Sequence, residues 1–534
     1  MLRTSCVLLA AASVCGGLMA QSNSRGPGYD GALYEISSAN AWGRRGPAYP
    51  GGEVGVSFEN GLCNPGTMNL AWYAADNDPN GMDEDHPKFG FLVAKEENGR
   101  LVQISDWSFC KHAFVSTNTP GSCGNCGNQP WAEQMFVGCS DIYSYANNGS
   151  RTYLGPPSEI NPWLGTWEAT GSYFDVGFPA NGSPTDGVKG SITPTDAVMN
   201  RVTIQESDIV GGLNSGMYFQ IQVLHEGEPV TNRANNVMSR PFGLSYIAGG
   251  WSASTQGSPT FGSILTRWPG ATLTSGQNGN DDGRFFVAVK VSGPVQGFWH
   301  YEYAVHNLDN HRGGASFRLP LCSTARVQNV FSRDIDKDPL NDWTMSRVGD
   351  EIAWTAPAGN PQNWNTLFNF AFDCDVAPGA GNATIDQARV GPGALTVTVP
   401  TTVPSFQPAI HITGGCGTPS CLLLAQDLPT TGNPNFTIRA ESDPFVPLAV
   451  FFSLPGIDYA YTPQCHILID LNAYNVFPLT STDPSGVALI QTGVDPTWPD
   501  ITFQAATLIP NPPVEGLVGL SNGITVRYNG TSCP

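Results

Sequence analysis

The sequence predicts an all-β fold made of two or three antiparallel β-sandwich domains. Short runs that alternate apolar and polar residues recur along the chain, and almost no stretch has the period of an amphipathic helix. The 534 residues include 61 glycines and 43 prolines, which supply frequent turns, while charged residues make up only 13%. Aromatic residues still reach 10%, so the composition favours a folded protein over a disordered one.

The candidate strands are separated by Asn, Gly, Pro and Asp, the residues that favour tight turns. Their short length and close spacing are typical of antiparallel sandwiches. The clearest candidates are 217–226, 284–293, 298–307, 366–373, 394–400, 436–441, 448–454, 466–471, 487–492, 501–508 and 524–528.

The strand pattern is interrupted by VPTTVPSFQP at 399–408, where we place a domain boundary. Twelve of the 13 tryptophans precede this segment, and only Trp498 follows it. We therefore predict an N-terminal β-rich region at 21–400 and a C-terminal β-sandwich domain at 401–534. The run SGQNGNDDGR near residue 280 is either a second boundary or a long hairpin turn.

Residues 1–20 have the pattern of a secretory signal peptide: an early positive charge, a short apolar run and small residues before a cut after Ala20. A lipoprotein cut before Cys15 is the alternative, but it would put Val14 where a small residue is expected. No later segment approaches the ~20 continuous apolar residues of a spanning helix, so we expect no transmembrane segment. The sequence thus predicts a secreted protein, extracellular or held at the cell surface.

The chain is acidic, with 45 Asp and Glu against 25 Lys and Arg and a net charge of −20. Nucleic acids and anionic membranes are bound through basic patches, so this charge argues against both as partners. The partners that remain are an extracellular glycan or a surface protein.

Two parts of the chain resemble secreted proteins of planctomycete-type bacteria. The tail resembles a C-terminal β-domain that is common in large proteins of this kind, on the motifs GGCGTPSCLLLAQDLPTTGNPNFTIRAE, GVALIQTG, ITFQAATL and GLSNGITVRYNG. The preceding region is similar to one family of such proteins, on the motifs CNPGTMNLAWYA, CKHAF, GCSDIYSYANNGSRTYLGP, WHYEYAVHN and NWNTLFNFAFD. The resemblance implies an exported β-sandwich protein, and it supplies no catalytic residue.

Export to an oxidising compartment makes disulfides the expected state of the cysteines after residue 20. In the tail four cysteines could form two bridges, and Cys416–Cys421 with Cys465–Cys533 is one of three pairings. The front part holds seven, an odd number, so at least one is unpaired, joined to another chain or bound to another group. The disulfide candidates are Cys63, Cys110, Cys123, Cys126, Cys139, Cys322, Cys374, Cys416, Cys421, Cys465 and Cys533.

The stretch at 109–141 also has a zinc interpretation, in which Cys123, Cys126 and Cys139 join either Cys110 or His112. Structural zinc sites usually combine two Cys knuckles, whereas only one C-x-x-C pair is present here. A thioredoxin-like centre would need a βαβ setting, which the sequence lacks. Disulfides are therefore the preferred interpretation, and whether His112 lies beside a leftover thiol is an open question.

The loop ADNDPNGMDEDHPKFG at 75–90 carries the first ligands of an EF-hand-type calcium loop, with alternating oxygens and a glycine for the sharp turn. Pro87 stands in place of the glutamate that closes such loops, so another carboxylate would have to substitute. The metal-ligand candidates are Asp76, Asp78, Asn80, Asp83 and Asp85, with Ca²⁺ as the cofactor. The alternative is a solvated acidic loop. A second acidic run, at 333–342, has no glycine and is expected to be a surface strand and turn.

In FWHYEYAVH the strand period of two puts His300 and Glu302 on one face, about 7 Å apart. They could share a metal ion if a third ligand arrived from elsewhere. His306 lies about 20 Å from His300 along the strand and cannot complete that site. The preferred interpretation is a half-buried strand with its aromatic face inward and its polar face outward.

The loop at 158–179 concentrates aromatic residues among Asn, Asp and Glu, a combination that suits sugar rings. We take Trp163, Trp167 and Tyr173 as ligand-binding candidates. The alternative is a small aromatic cluster that pins a long loop to the sandwich.

Two functions remain open on the sequence. The first is a secreted cell-surface or extracellular-matrix protein with a binding or structural role, stabilised by calcium. The alternative is an extracellular enzyme acting on a glycan or other polymer, which would need a deep cleft lined by His112, Glu159, Glu168 or Asp175. GLSNG at 519–523 matches G-x-S-x-G, but its Asn-Gly pair predicts a hairpin turn rather than a nucleophile elbow.

Overall fold

The structure is a computed structural model, and it is all-β in the residues it describes, which confirms the predicted fold class. The described residues are 24–72, 82–180, 185–210, 216–278, 283–296, 298–323, 325–404, 410–413, 415–416, 421–426, 435–462, 465–492, 500–508 and 519–526. Within these ranges no helix is long and apolar enough to cross a membrane. The ladders between strands are antiparallel, as the turn-rich sequence predicts.

The front region, which we define as residues 24–271, begins the element order. Its strands are β1 (Ala32–Arg45), β2 (Glu53–Cys63), β3 (Leu70–Ala71), β4 (Lys88–Glu97), β5 (Arg100–Gln103), β6 (Cys110–His112), β7 (Thr119–Pro120), β8 (Gln134–Met135), β9 (Cys139–Tyr143), β10 (Leu154–Gly155), β11 (Ile160–Asn161), β12 (Thr166–Trp167), β13 (Val202–Gln205), β14 (Met217–Leu224), β15 (Val237–Ile247), β16 (Gly250–Thr255) and β17 (Thr260–Phe261). The helices are α1 (Tyr145–Asn148), α2 (Tyr173–Val176) and the 3-10 turns Arg151–Tyr153, Pro157–Glu159, Glu206–Ile209, Val230–Asn235 and Ile264–Arg267.

Two sheets of the front region pack face to face. One has the order β1-β2-β9-β7 with β13 added to β2, and the other has the order β10-β6-β4-β14-β15-β16 with β5 on β4 and β17 on β15. Phe58 of the first sheet stacks on Phe219 of the second, with ring centroids 4.2 Å apart. Their shared apolar core is drawn from residues 29–251, so this part of the chain is a β-sandwich with long loops.

The middle region, residues 272–404, forms a second pair of sheets. Its strands are β18 (Thr272–Gln277), β19 (Arg284–Val295), β20 (Phe298–Asn307), β21 (Gly314–Pro320), β22 (Val327–Arg333), β23 (Thr344–Val348), β24 (Glu351–Thr355), β25 (Thr366–Cys374), β26 (Pro378–Gln387) and β27 (Thr396–Pro404). The sheets have the orders β18-β19-β20-β25-β22 and β23-β24-β21-β26-β27. Phe317 and Phe370 meet between them at 4.8 Å, inside a core drawn from residues 285–403.

The tail region, residues 410–526, forms further sheets. Its strands are β28 (Ile410–Thr413), β29 (Leu422–Ala425), β30 (Thr437–Glu441), β31 (Pro447–Ser453), β32 (Tyr459–Thr462), β33 (Cys465–Ile467), β34 (Tyr474–Val476), β35 (Thr480–Ser481), β36 (Val487–Gln491), β37 (Ile501–Thr507) and β38 (Gly519–Val526). The main orders are β28-β38-β37-β31-β34 and β29-β30-β36, around a core drawn from residues 421–526. Strand β27 runs to Pro404 and places Val399 and Val403 in the middle core, so the expected interruption of the strand pattern at 399–408 is wrong for its first half. The run near 280 lies between the paired strands β18 and β19, in agreement with the hairpin alternative. The division into domains stays a prediction.

The hairpin turn predicted at GLSNG is wrong, because strand β38 runs through it. The Ser521 hydroxyl accepts a hydrogen bond from the Ala505 backbone N–H on the neighbouring strand. The Asn522 amide accepts from the Leu423 N–H and donates to the Leu423 carbonyl in the other sheet. These contacts hold an Asn-Gly pair in extended backbone, so the pair did not mark a turn.

The front and middle regions are joined by polar side chains that bond to backbone across the junction. The Asn369 amide donates to the Leu101 carbonyl at 3.0 Å, and the Leu367 N–H donates to the Gln103 side chain at 2.8 Å. Apolar side chains of both regions share a further buried cluster, which includes Trp268. These contacts fix the relative position of the two regions and thereby shape the cleft between them.

Candidate functional site

A cleft with a volume of about 700 Å³ opens where the front and middle regions meet. We call it the junction cleft. Ligand pockets occur preferentially at such interfaces, so this cleft is the candidate functional site. The front region contributes Arg45, Glu53, Ile104, Asp106, Trp107, Thr203, Gln205 and Asp208, and the middle region contributes Arg333, Ile335, Asp336, Lys337, Asp338 and Asn341.

The front wall of the junction cleft is held by hydrogen bonds of the segment that follows β5. The Asp106 carboxylate accepts from the Ser108 hydroxyl at 2.6 Å and from the Thr203 backbone N–H at 3.0 Å. The Trp107 indole N–H donates to the Trp364 carbonyl at 2.8 Å, which ties this wall to the middle region. The lining side chains are therefore fixed by the protein itself.

The opposite wall is the acidic run at 333–342, which forms a turn after β22. The buried Asp334 carboxylate accepts from the Asp336 N–H at 3.1 Å. The Asp336 carboxylate accepts from the Asp338 N–H at 2.8 Å and from the Asn341 amide at 3.1 Å. Each carboxylate thus caps a nearby backbone or amide donor in an Asx-type turn, and the run is a strand end and turn, as the sequence predicts.

Ion pairs cross the junction beside the cleft. The Lys337 ammonium lies 2.7 Å from the Asp208 carboxylate, and it also donates to the Ser207 hydroxyl. The Arg333 guanidinium lies 3.4 Å from Glu97 and 3.7 Å from Asp208. Such partly exposed pairs contribute little to stability individually, but they give both of these cations an acidic partner.

His300 and Glu302 lie in a chain of ion pairs at the same junction. The His300 Nδ1 is 2.6 Å from Asp373 and its Nε2 is 3.2 Å from Glu302, which also accepts from Arg100 at 2.6 Å. The hydrogen bond to Glu302 and the neighbouring Asp373 raise the pKa of His300 above its usual value. Each ring nitrogen faces a different carboxylate, so the three groups pair with one another and do not converge on one point.

The prediction that the polar face of β20 points outward is wrong for Glu302 and His306, which are buried. This face packs against the front region, where the Ser263 hydroxyl lies 2.7 Å from His306 Nδ1. Within the described ranges no group of three or more His, Cys, Asp or Glu side chains is placed to hold a metal ion.

The aromatic loop predicted to bind a ligand lies mostly inside the protein. Trp163 and Trp167 are buried, at 6% and 2% exposure, and Tyr173 is half-buried. The Trp167 ring packs 4.9 Å from His112, and its indole N–H donates to Glu159, which also accepts from the Tyr173 N–H. The two tryptophans therefore offer no open face for a sugar ring, and the ligand-binding role of the three residues stays a prediction.

A pair of buried histidines lies against Trp167. His86 donates from Nδ1 to the Asp83 carbonyl at 2.9 Å, so its Nε2 accepts the hydrogen bond from His112 Nδ1 at 2.7 Å. Burial lowers the pKa of both rings well below the usual value, which keeps them neutral. Cys110, two residues before His112 in β6, is a buried free thiol in the same aromatic cluster. One of the free thiols of the front part thus lies near His112.

The disulfides agree with an oxidising compartment. The bridges among the described residues include Cys63–Cys123, Cys126–Cys139 and Cys416–Cys465, and Cys322 is also disulfide-bonded. These bonds occupy the sulfurs that the zinc interpretation required, so that interpretation is wrong. The Cys416–Cys421 pairing is also wrong, because Cys416 is bonded to Cys465, the first residue of β33. Besides Cys110, the buried free thiols are Cys374 and Cys421, and Cys533 lies outside the described residues.

The residues that an enzyme site would need serve the fold. His112 is buried, and Glu168 is exposed. The Asp175 carboxylate accepts the backbone N–H groups of Gly171 and Asp186, which caps the surrounding loop. His112, Asp175 and the hydrogen-bonded Glu159 thus pack or cap the surrounding chain, and none of the four candidates lines the junction cleft.

The predicted calcium ligands Asp76, Asp78 and Asn80 lie outside the described residues. Asp85 is described and pairs with Arg25 at 3.1 Å. Asp83 offers its backbone carbonyl to His86.

Sequence reasoning missed Trp107, Thr203, Gln205 and Asp208. The junction cleft combines segments that are far apart in the chain, so no local spacing reveals it. The only signal was the acidic run at 333–342, which supplies one wall.

No family model matches the chain, and no curated protein matches it. Structural neighbours include BcpA, the major pilin subunit of Bacillus cereus, with 9% identity over 64% of this chain and 89% of that chain, at a TM-score of 0.19. Another is the T6 backbone pilin of serotype M6 Streptococcus pyogenes, with 8% identity over 86% and 79% and a TM-score of 0.21. Activated alpha-2-macroglobulin of Escherichia coli covers 92% of this chain with 34% of its own, at 9% identity and a TM-score of 0.14. At such TM-scores the neighbours carry no functional argument.

Proposed function

We propose that the protein is an extracellular cell-surface or matrix protein that binds an extracellular glycan or surface protein at the junction cleft. The observation that carries the proposal is the cleft itself: about 700 Å³ between two joined sandwiches, lined by side chains that the fold already holds in place. Fixed polar groups bind a ligand without the entropic cost of ordering them. The disulfides, the signal-peptide pattern of residues 1–20 and the resemblance to secreted proteins support export.

A sedimentation assay tests this role. The purified protein lacking residues 1–20 is mixed with a panel of insoluble polysaccharides and extracellular protein matrices. Depletion of the protein from the supernatant measures binding, and released reducing ends or peptides measure turnover. We expect depletion by at least one matrix without turnover. Turnover of any matrix would establish the enzyme alternative, and no binding to any of them would contradict a binding role.

We also propose that calcium stiffens the loop at 75–90. This proposal is based only on the spacing of oxygen-bearing residues in the sequence. Addition of 1 mM Ca²⁺ to EDTA-treated protein should raise the melting temperature, as expected for a ligand that binds only the folded state. The variant Asp78→Asn should lose that increase, whereas a rise that survives in the variant would place the ion elsewhere.

A further inference from the structure

We propose that the ligand of the junction cleft is a neutral polysaccharide segment, stacked on Trp107 and hydrogen-bonded by polar side chains of both regions. This inference rests on the proposed function and names the ligand class. Three independent features of the cleft support it: its size, its fixed aromatic wall and the pairing of its charges. The volume of about 700 Å³ lies within the ~300–1,000 Å³ of small-ligand pockets.

The aromatic wall is Trp107, a half-buried ring that lines the cleft. Its indole N–H donates to the Trp364 carbonyl, and the Trp364 indole N–H in turn donates to the Pro157 carbonyl at 2.9 Å. These hydrogen bonds hold the Trp107 ring in place, and a ligand can stack on the ring without breaking them. Sugar rings have apolar C–H faces, and a fixed indole presents a complementary flat surface at low entropic cost.

The charges of the cleft favour a neutral ligand over an anionic one. Each lining cation already has an acidic partner: Lys337 with Asp208, Arg333 with Asp208, and Arg45 with Glu53 at 2.6 Å. An anionic ligand would compete with these pairs, and the five carboxylates of the lining, against three cations, would repel it. A hydroxyl group can donate to a carboxylate and accept from a guanidinium or ammonium group at the same time, so a polyol can bind them as they stand.

The remaining polar groups match the edges of a sugar ring. Gln205 and Asn341 lie on opposite walls of the cleft and carry amides, which both donate and accept hydrogen bonds. The Asn341 amide is oriented by its bond to Asp336. The cleft thus combines one stacking face with hydrogen-bonding groups on two sides, which is the combination a polyhydroxylated chain needs.

Isothermal titration calorimetry with defined oligosaccharides tests the proposal. The probes are cellohexaose, xylohexaose, mannohexaose and maltohexaose as neutral chains, with hexagalacturonate and a chitosan hexamer as charged chains and a lysine-rich peptide as a protein-like cation. We expect at least one neutral chain to bind with a higher affinity than every charged probe. Trp107→Ala should weaken that binding at least tenfold.

Trp131→Ala is the matched control, since Trp131 is 72% exposed and lies outside the cleft. It should change the affinity less than twofold. If Trp107→Ala proves unfolded by circular dichroism, Gln205→Ala with Asn341→Ala takes its place, because both side chains lie at the cleft surface, and the pair should weaken binding at least threefold.

Three outcomes would overturn the inference: no neutral chain binds, a charged probe binds best, or the cleft variants bind as the wild type does. Failure of the proposed function is a separate result, because the sedimentation assay measures it and calorimetry does not. A protein that sediments with a protein matrix but ignores neutral oligosaccharides keeps its binding role and loses this ligand.

Discussion

The middle and front regions are both β-sandwiches, but they are held together in different ways. The middle core is a stack of aromatic rings from regular strands: Tyr301 and Phe372 lie 5.2 Å apart and nearly parallel, and Trp354 packs 5.2 Å from Phe370. The front region has an apolar core as well, but it also buries two lysines, Lys88 and Lys111, and its long loops carry the disulfides Cys63–Cys123 and Cys126–Cys139. Regular strands can thus rely on apolar burial, whereas long loops need polar bonds and covalent links.

The two buried lysines of the front region lose the hydration of their ammonium groups, which lowers their pKa values. Lys88 is buried and donates from its ammonium to the carbonyls of Glu84 and Gly165, and burial lowers its pKa to about 8. Lys111 is buried among Phe114 and other aromatic rings, and burial lowers its pKa well below the usual value. A buried charge is tolerated only where bonds or rings compensate its lost hydration.

The largest effect is expected in the middle core. Trp354→Ala removes a fully buried ring that contacts Phe317, Phe370 and Phe372. The transfer and cavity costs should lower the free energy of unfolding of this region by about 3–5 kcal/mol. Urea unfolding followed by tryptophan fluorescence measures the loss. Trp131→Ala, at an exposed site, should change the free energy of unfolding by no more than about 0.5 kcal/mol. A loss as small as that for Trp354→Ala would show that this ring does not stabilise the middle core.

The second-largest effect is expected from loss of the Cys126–Cys139 disulfide in the front region. Cys126→Ser with Cys139→Ser opens a loop with a sequence separation of 13 residues. Loss of the constraint on the unfolded chain should cost about 3 kcal/mol. Limited proteolysis should then cut the segment at 110–143 first. Cys110→Ala is the control, because its buried thiol is free, and a cost equal to that of the double variant would refute the role of the bridge.

The sequence predicted the regular parts of the fold better than the site. Strand β20 was predicted at 298–307 and observed there, because alternation of apolar and polar residues follows directly from the pleat. The same alternation was misleading about Glu302, since a second region covers the face that was expected to meet water. Trp107 and Gln205 were missed for the same reason: their role depends on contacts between regions, which local pattern does not encode.

The third-largest effect is expected from the acid sensitivity of a buried histidine. His225 in the front region is buried, and burial lowers its pKa to about 3. The unfolded chain binds a proton near pH 6.5 while the folded protein does not, so stability is lost as the pH falls below that value. Between pH 8 and pH 5 the loss from this group is about 2 kcal/mol.

His225→Gln removes this titration, and urea unfolding at both pH values measures it. The difference in unfolding free energy between pH 8 and pH 5 should shrink by about 2 kcal/mol in the variant. The comparison at pH 8 corrects for any change in packing. An equal acid sensitivity in both proteins would show that His225 is not the neutral buried group described here.

The smallest effect has the opposite sign and comes from His300 in the middle region. Its folded pKa is raised by Glu302 and Asp373, so its stabilising contribution is complete below the unfolded pKa near 6.5 and is lost as the pH rises through the folded value. The side chain is 40% exposed, and solvent screening limits the effect to about 0.5 kcal/mol. The advantage of the wild type over His300→Gln should therefore be present at pH 5.5 and vanish by pH 9. An advantage that grows with pH would contradict the ion pairs, whereas opposite trends for the two variants would establish that the front region holds His225 neutral while the middle region pairs His300 as a cation.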